Sequence, residues 1–116
     1  MDDKVSIIIP TYNCEKTIDR TIQSILNQTY TCFEVIIIND CSTDNTSNIL
    51  NKYHTIKNIH IIHNHKNYGK FVSVNIGIQK SIGKYITIVD ADDYLHIDKI
   101  SHQIITFNLF ENSVAV

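Results

Sequence analysis

Three carboxylates stand within four positions at Asp90, Asp92 and Asp93, and a fourth, Asp40, follows an apolar run. Carboxylates this close repel one another unless one takes up a proton or a cation joins them. Oxygen donors of this kind suit a hard divalent ion, Mg2+ or Mn2+, and Mg2+ usually completes its shell with water and substrate phosphate. An acidic turn at the end of a strand therefore reads as a site for a metal-bound diphosphate. The same residues also read as a solvated turn opening the next helix, because Asp is favoured in a first helical turn. Asp40 is an acceptor-only side chain, able to take the ring N–H that uracil, thymine and guanine offer and cytosine does not. Its alternative is a loop carboxylate that helps start the following helix, a part for which Asp44 is the better candidate.

The elements that must position these groups follow from periodicity. Val5–Ile9, Phe33–Ile38, Ile59–Ile62 and Tyr85–Val89 are short apolar runs that read as buried strands. Between them lie helical spacings. Ile18, Ile22, Ile25 and Leu26 mark a helix over Glu15–Asn27 with Asn13 as its N-cap. Ser42–Tyr53 reads as a second helix, with Ser42 or Asp44 near its start. Phe71, Val74, Ile78 and Ile82 mark a third, stopped by Gly83, and Ile97, Ile100, Ile104 and Phe107 a fourth. Val114-Ala115-Val116 reads as the start of a further strand. Strand–helix alternation with near-continuous apolar strands predicts an α/β fold with a mostly parallel sheet and helices on both faces. Ligands then bind beyond the carboxyl ends of the strands. Pro10–Asn13, Asn39–Asp44 and Asp90–Asp93 follow the first, second and fourth strands, so polar and acidic residues collect at one sheet edge.

Bulk properties narrow the function classes. A chain of 116 residues fits one domain, residues 1–116. With 43% hydrophobic and 19% charged residues it reads as a globular domain, and a net charge of -2 offers no basic surface for a nucleic acid backbone. No apolar stretch approaches the ~18 residues of a transmembrane helix. Cys14, Cys32 and Cys41 are odd in number and lack a C-x-x-C pair, which favours free thiols. With no signal-peptide pattern at the start, the expected location is cytoplasmic. His60, His63 and His65 cluster without an evident fourth ligand for tetrahedral zinc. His96 is near enough to the acidic turn to tune it. The Tyr12 ring can stack on a base or pack against the first helix.

The residues match a known family in order and spacing over nearly the whole chain. Val5-Ser6-Ile7-Ile8-Ile9-Pro10-Thr11-Tyr12-Asn13 resembles the opening of family 2 glycosyltransferases, and Ser24–Tyr30 the end of their first helix. Asn39-Asp40-Cys41-Ser42-Thr43-Asp44 resembles the family's "DDGSTD" segment, Asn75-Ile76-Gly77-Ile78 with Gly83-Lys84-Tyr85-Ile86 its "N-x-G … G-x-Y-I" segment, and Asp90–Asp93 its D-x-D region. The resemblance implies a three-layer, Rossmann-like GT-A fold binding a nucleoside-diphosphate sugar, a UDP-sugar being favoured. It implies that Pro10, Thr11 and Tyr12 line the base and ribose pocket, and that Asp40 receives the base N–H. Asp92 would lie near ribose and sugar, and Asp93, with Asp92 as a second candidate, would hold Mg2+ or Mn2+. Glu15 is a further donor-facing candidate. Transfer would proceed with inversion to a hydroxyl of a sugar, lipid or protein acceptor, with a carboxylate base on that hydroxyl.

Three departures qualify the match. Val74 stands where the family usually has a basic residue, with Lys70 as a candidate substitute. Asn39 and Cys41 replace an Asp and a Gly, and Cys41 would be strained if its turn needs positive φ. The family's base lies further along than this chain runs, so the fold is expected to be truncated and no residue is assigned as base. A non-catalytic nucleotide-sugar-binding fragment or degenerate homologue is the alternative, and an incomplete sheet would invite a homo-oligomer. A receiver-type signalling domain ranks lower, since the acidic pair it expects after the first strand is Pro10–Asn13 here. A dinucleotide-binding domain ranks lowest, because the first βα turn lacks G-x-G-x-x-G.

Overall fold

The computed structural model describes the backbone of residues 2–114 and the side chains of residues 2–108. The apolar runs become four strands, β1 (Val5–Thr11), β2 (Phe33–Asn39), β3 (Ile59–His63) and β4 (Tyr85–Ile88). They form one sheet in the order β3-β2-β1-β4, every pairing parallel. The helices are α1 (Ile18–Leu26), α2 (Thr46–Asn51), α3 (Lys70–Lys80) and α4 (Lys99–Val114).

Alternation along the strands sends side chains to two cores. Ile7, Ile9, Val35 and Ile37 pack with Ile18, Ile22 and Ile25 of α1, Leu50 of α2, and Ile100 and Ile104 of α4. On the other face Ile8, Ile36 and Ile38 meet Ile76 of α3. Each fully buried isoleucine contributes about 1.5–3 kcal/mol, so the doubly covered strands β1 and β2 anchor the fold. The chain winds outward from β1 through β2 to β3, then reverses to reach β4 on the far side of β1. Right-handed crossovers force the returning helix, α3, onto the opposite face. The reversal opens a crevice between the carboxyl ends of β1 and β4, where such sheets bind ligands.

Several expectations need correction. α1 starts at Ile18 instead of Glu15, because Cys14 O accepts both Thr17 N (3.1 Å) and Ile18 N (2.9 Å) and closes a separate turn first. Asn13 is not its N-cap. It takes φ 50, and its Oδ1 accepts Thr43 N at 2.7 Å, so it ties the β1–α1 loop to the β2–α2 loop. α2 is shorter than Ser42–Tyr53, since residues 42–45 serve in that tie; Asp44 Oδ1 accepts Thr46 N at 2.9 Å near its start.

α3 turns a different face inward. Phe71 is 89% exposed and Ile82 also faces solvent, while Ser73 and Gly77 are buried. A Cβ on Gly77 would lie 2.6 Å from Ile8 Cγ2 and 2.9 Å from Ile38 Cδ1, so the helix lies too close to the sheet for a larger residue. Val114 is the last residue of α4, so no strand begins there; Ala115 and Val116 lie outside the described residues.

Candidate functional site

The carboxyl ends of β1, β2 and β4 and the N-terminus of α3 enclose a cleft of about 360 Å3. Pro10, Thr11, Tyr12 and Cys14 form one wall, Asp90, Ala91 and Asp92 another, and Asp40, Lys70 and Ser73 complete it. Residues as far apart in sequence as Pro10 and Asp92 meet here because parallel strands deliver their C-terminal loops to one edge.

Asp40 sits at the floor, 4% exposed. Its backbone N–H donates to Thr11 O at 2.8 Å, locking the β2 end to the β1 end. Its Oδ1 accepts Asn64 Nδ2 (2.9 Å) and Tyr68 N (2.8 Å), and its Oδ2 accepts Gly69 N (2.9 Å). Gly69, at φ 95, makes the sharp entry to α3 that points these two N–H groups at the carboxylate. Burial pushes the Asp40 carboxyl up, but the hydrogen bonds from Asn64, Tyr68, Gly69 and Ser73 outweigh it and hold it below the usual carboxylate value. A carboxylate offers about four lone-pair directions. Asn64, Tyr68 and Gly69 take three, and the Ser73 hydroxyl stands at the fourth, so a further donor from the cleft would replace one of these. The carboxylate thus secures the start of α3, not that of the helix after its own strand; Asp44 serves there.

Lys70, the first residue of α3, reaches across the cleft, its Nζ 2.8 Å from Asp90 Oδ1. The hydrogen bond that Lys70 donates to Asp90, the Asp90 charge, and the more distant charges of Asp92 and Asp93 raise the Lys70 pKa. Asp90, Asp92 and Asp93 are all exposed, and each offers an oxygen within 4.8 Å of the others. Asp93 N closes the turn on Asp90 O at 3.0 Å, and Asp93 Oδ2 accepts Asp90 N at 3.3 Å. Three hard oxygen donors gathered on one turn fit Mg2+ or Mn2+. Asp90 and Asp92 line the cleft, and Asp93 stands at the turn just outside its lining.

The remaining candidates divide. Thr11 is buried, its hydroxyl turned onto Ile9 O at 3.1 Å. Tyr12 is 45% exposed, so its ring is not buried against α1. Glu15 lies in a neighbouring depression with Asp44 and Asp92, and its Oε2 accepts Asn45 N at 3.1 Å. It braces two loops and does not line the Asp40 cleft. His63 Nδ1 pairs with Asn39 Nδ2 at 3.0 Å, His60 faces Glu34, and the histidines form no metal-ligand group among the described residues. His96 Nδ1 accepts Asp98 N at 3.2 Å, at the approach to α4. Asn64 and Ser73 were not singled out from sequence. Their link to Asp40 spans 24 residues and more, and only the β2–β3 pairing brings Asn64 alongside, its N–H on Asn39 O at 2.9 Å.

The family model "Glycosyl transferase family 2" matches residues 6–116. The putative teichuronic acid biosynthesis glycosyltransferase TuaG of Bacillus subtilis is 38% identical over 101 residues, covering 86% of this chain and 40% of TuaG. The crystal structure of S. aureus TarS 1-349 in complex with UDP-GlcNAc superposes with a TM-score of 0.80 at 32% identity, over 90% of this chain and 31% of that one. Mannosyltransferase PcManGT from Pyrobaculum calidifontis, in complex with GDP-Man and Mn2+, superposes with a TM-score of 0.73 at 26% identity, over 79% of this chain and 28% of that one. The chain thus spans well under half the length of these relatives.

Proposed function

The chain belongs to glycosyl transferase family 2, and on that footing we propose that it forms the donor-binding part of a glycosyltransferase that takes a UDP-sugar with Mg2+ or Mn2+. The observation that carries the reading is that Asp40 and Asp92, from separate strand ends, open on one cleft with Lys70 beside them. TarS with UDP-GlcNAc and PcManGT with GDP-Man and Mn2+ support it by their similarity.

In this reading the strand end Pro10–Tyr12 walls the nucleoside, and the open Tyr12 ring lies against the base. Asp40, an acceptor-only group at the floor of the cleft, exchanges one of its present donors for the ring N–H of the base, which uracil offers and cytosine does not. Lys70 exchanges its contact with Asp90 for a diphosphate oxygen. Asp93, with Asp92, holds the divalent ion, which when bound supplies the positive charge that stabilises the leaving diphosphate. Inverting transfer to an acceptor hydroxyl also needs a base on that hydroxyl, a role assigned to none of the cleft residues. No described helix is long and apolar enough to cross a membrane. The three free cysteines support a cytoplasmic setting.

The test is a titration with UDP, dTDP, GDP and CDP, each with and without Mn2+, followed by calorimetry. Micromolar-range or weaker binding of UDP, strengthened by Mn2+, is expected. Indifference to all four nucleotides would remove the donor-site reading.

A further inference from the structure

We propose that Thr21, seconded by Thr17, is a positioning residue for the acidic turn: hydroxyls on α1 hold the backbone of residues 91–93 in the curve that gathers Asp90, Asp92 and Asp93. The proposal rests on reading that turn as the cation site.

Thr17, Thr21, Ser24 and Gln28 recur at helical spacing, so they share one face from the residue before α1 to just past its end. Each makes a hydrogen bond to the backbone of residues 91–100. Thr17 Oγ1 lies 3.0 Å from Ala91 O. Thr21 Oγ1 lies 2.6 Å from Asp93 O and 2.9 Å from Ala91 O. Ser24 Oγ accepts Leu95 N at 3.1 Å. Gln28 donates to His96 O at 2.6 Å and accepts Ile100 N at 3.0 Å.

A hydroxyl has one proton. Thr21 Oγ1 also lies 3.2 Å from Thr17 O, but its shortest contact, Asp93 O, takes its proton and leaves Ala91 O to Thr17. Thr21 is fully buried, so its hydroxyl has no water to bond in place of these carbonyls. These carbonyls flank the peptide units of Asp92 and Asp93, so holding both restricts how those residues rotate. The carboxylates on the outer side of the turn then stand at mutual distances set from beneath by α1. Ser24 and Gln28 hold the segment further on, away from the acids. Groups that orient metal-binding side chains from behind characteristically affect metal affinity more than their distance from the ion suggests.

The test compares Thr21→Val, Thr21→Ser and Tyr53→Phe with the wild-type chain. Mn2+ affinity is read by electron paramagnetic resonance of the free ion, in the presence of UDP. Amide hydrogen exchange over residues 91–95 is read without metal. T21V keeps the shape of the side chain and removes the proton, so it should weaken Mn2+ binding by about tenfold and speed exchange over 91–95. T21S restores the hydroxyl and should restore both. Y53F removes a hydroxyl that bonds Asp19 elsewhere on α1; it should lower the melting temperature and leave Mn2+ affinity unchanged. If T21V does not fold, Thr17→Val at the less buried neighbour should show the same effects, reduced. Wild-type Mn2+ affinity in T21V, or in T17V where that variant stands in, overturns the proposal. A wild-type chain that binds UDP but no Mn2+ removes the cation reading instead. Exchange over 91–95 then decides alone, and unaltered exchange in the variant rejects the positioning role.

Discussion

The ammonium of Lys70 lies 2.8 Å from a carboxylate oxygen of Asp90, joining the first residue of α3 to the loop after β4 across the mouth of the cleft. Both side chains are more than half exposed, so the pair adds little to stability. Its consequence is electrostatic: a fixed cation already sits against the turn proposed to take a divalent one. Removing that charge should favour the metal and disfavour the diphosphate. Lys70→Met is expected to strengthen Mn2+ binding without nucleotide by about fivefold, the factor that ~1 kcal/mol gives, and to weaken UDP binding. Calorimetry with each ligand separately checks this; a variant in which both affinities move the same way would contradict it.

Asp93→Ala should abolish the Mn2+ enhancement of UDP binding while leaving metal-free UDP binding near wild type. Asp93 stands outside the cleft lining, and its carboxylate accepts Asp90 N within the turn. The measurement is the ratio of UDP affinities with and without Mn2+. A ratio unchanged from wild type would make Asp93 a purely structural residue of the turn.

Asp40 links ligand binding to stability. Asp40→Asn replaces an acceptor with a donor-bearing group facing the N–H groups of Tyr68 and Gly69. The loss should be about 1–3 kcal/mol of stability, with weaker UDP binding. The pH dependence follows from the sign of the shift. The folded-state value is lowered, so the group's stabilisation is present above its unfolded value and lost as pH falls through the folded one. Denaturant unfolding of wild type should thus show a stability decline setting in below about pH 4, with a shallower decline in the variant. Equal slopes in the two proteins would show that Asp40 carries none of it.

Cys41 follows Asp40 at φ 61, a conformation in which an L side chain is strained. Its thiol makes only a long contact, 3.7 Å to His65 O. Cys41→Gly should therefore stabilise the protein by about 1 kcal/mol, read as a rise in melting temperature. A fall would mean that the thiol contact or the greater freedom of the unfolded chain outweighs the relief of strain.

Gly77→Ala should destabilise by about 1–3 kcal/mol through overpacking against Ile8 and Ile38. Displacing α3 also moves Gly69 and Lys70 relative to Asp40 and Asp90, so UDP binding should weaken further than the stability loss explains. Comparing UDP affinity in G77A well below its melting temperature separates the two effects.

Much of the architecture was legible in the sequence. Val5–Ile9 and Phe33–Ile38 are continuous apolar runs, which strands covered on both faces require, and the isoleucines of α1 keep helical spacing because one face of that helix meets the sheet. The acidic turn and Asp40 stood out because both follow buried strands and so collect at one edge of the sheet. The inward face of α3 did not show, since its apolar residues Phe71 and Ile78, like Ile82 just beyond its end, point outward while the small residues Ser73 and Gly77 permit close packing. A periodicity of apolar residues cannot reveal a contact made by the absence of a side chain.

Sequence alone therefore determined the strand–helix order, the two-sided core and the acids at the strand ends, because local pattern and burial are coupled within each element. Only the tertiary structure decided which partners those acids have. Asp40 meets Asn64, Tyr68 and Gly69, Asp90 meets Lys70, and the turn of Asp92 and Asp93 rests on Thr17 and Thr21. Each of these contacts joins segments twenty or more residues apart. Their geometry is set by strand order and helix placement, which no single stretch of chain encodes.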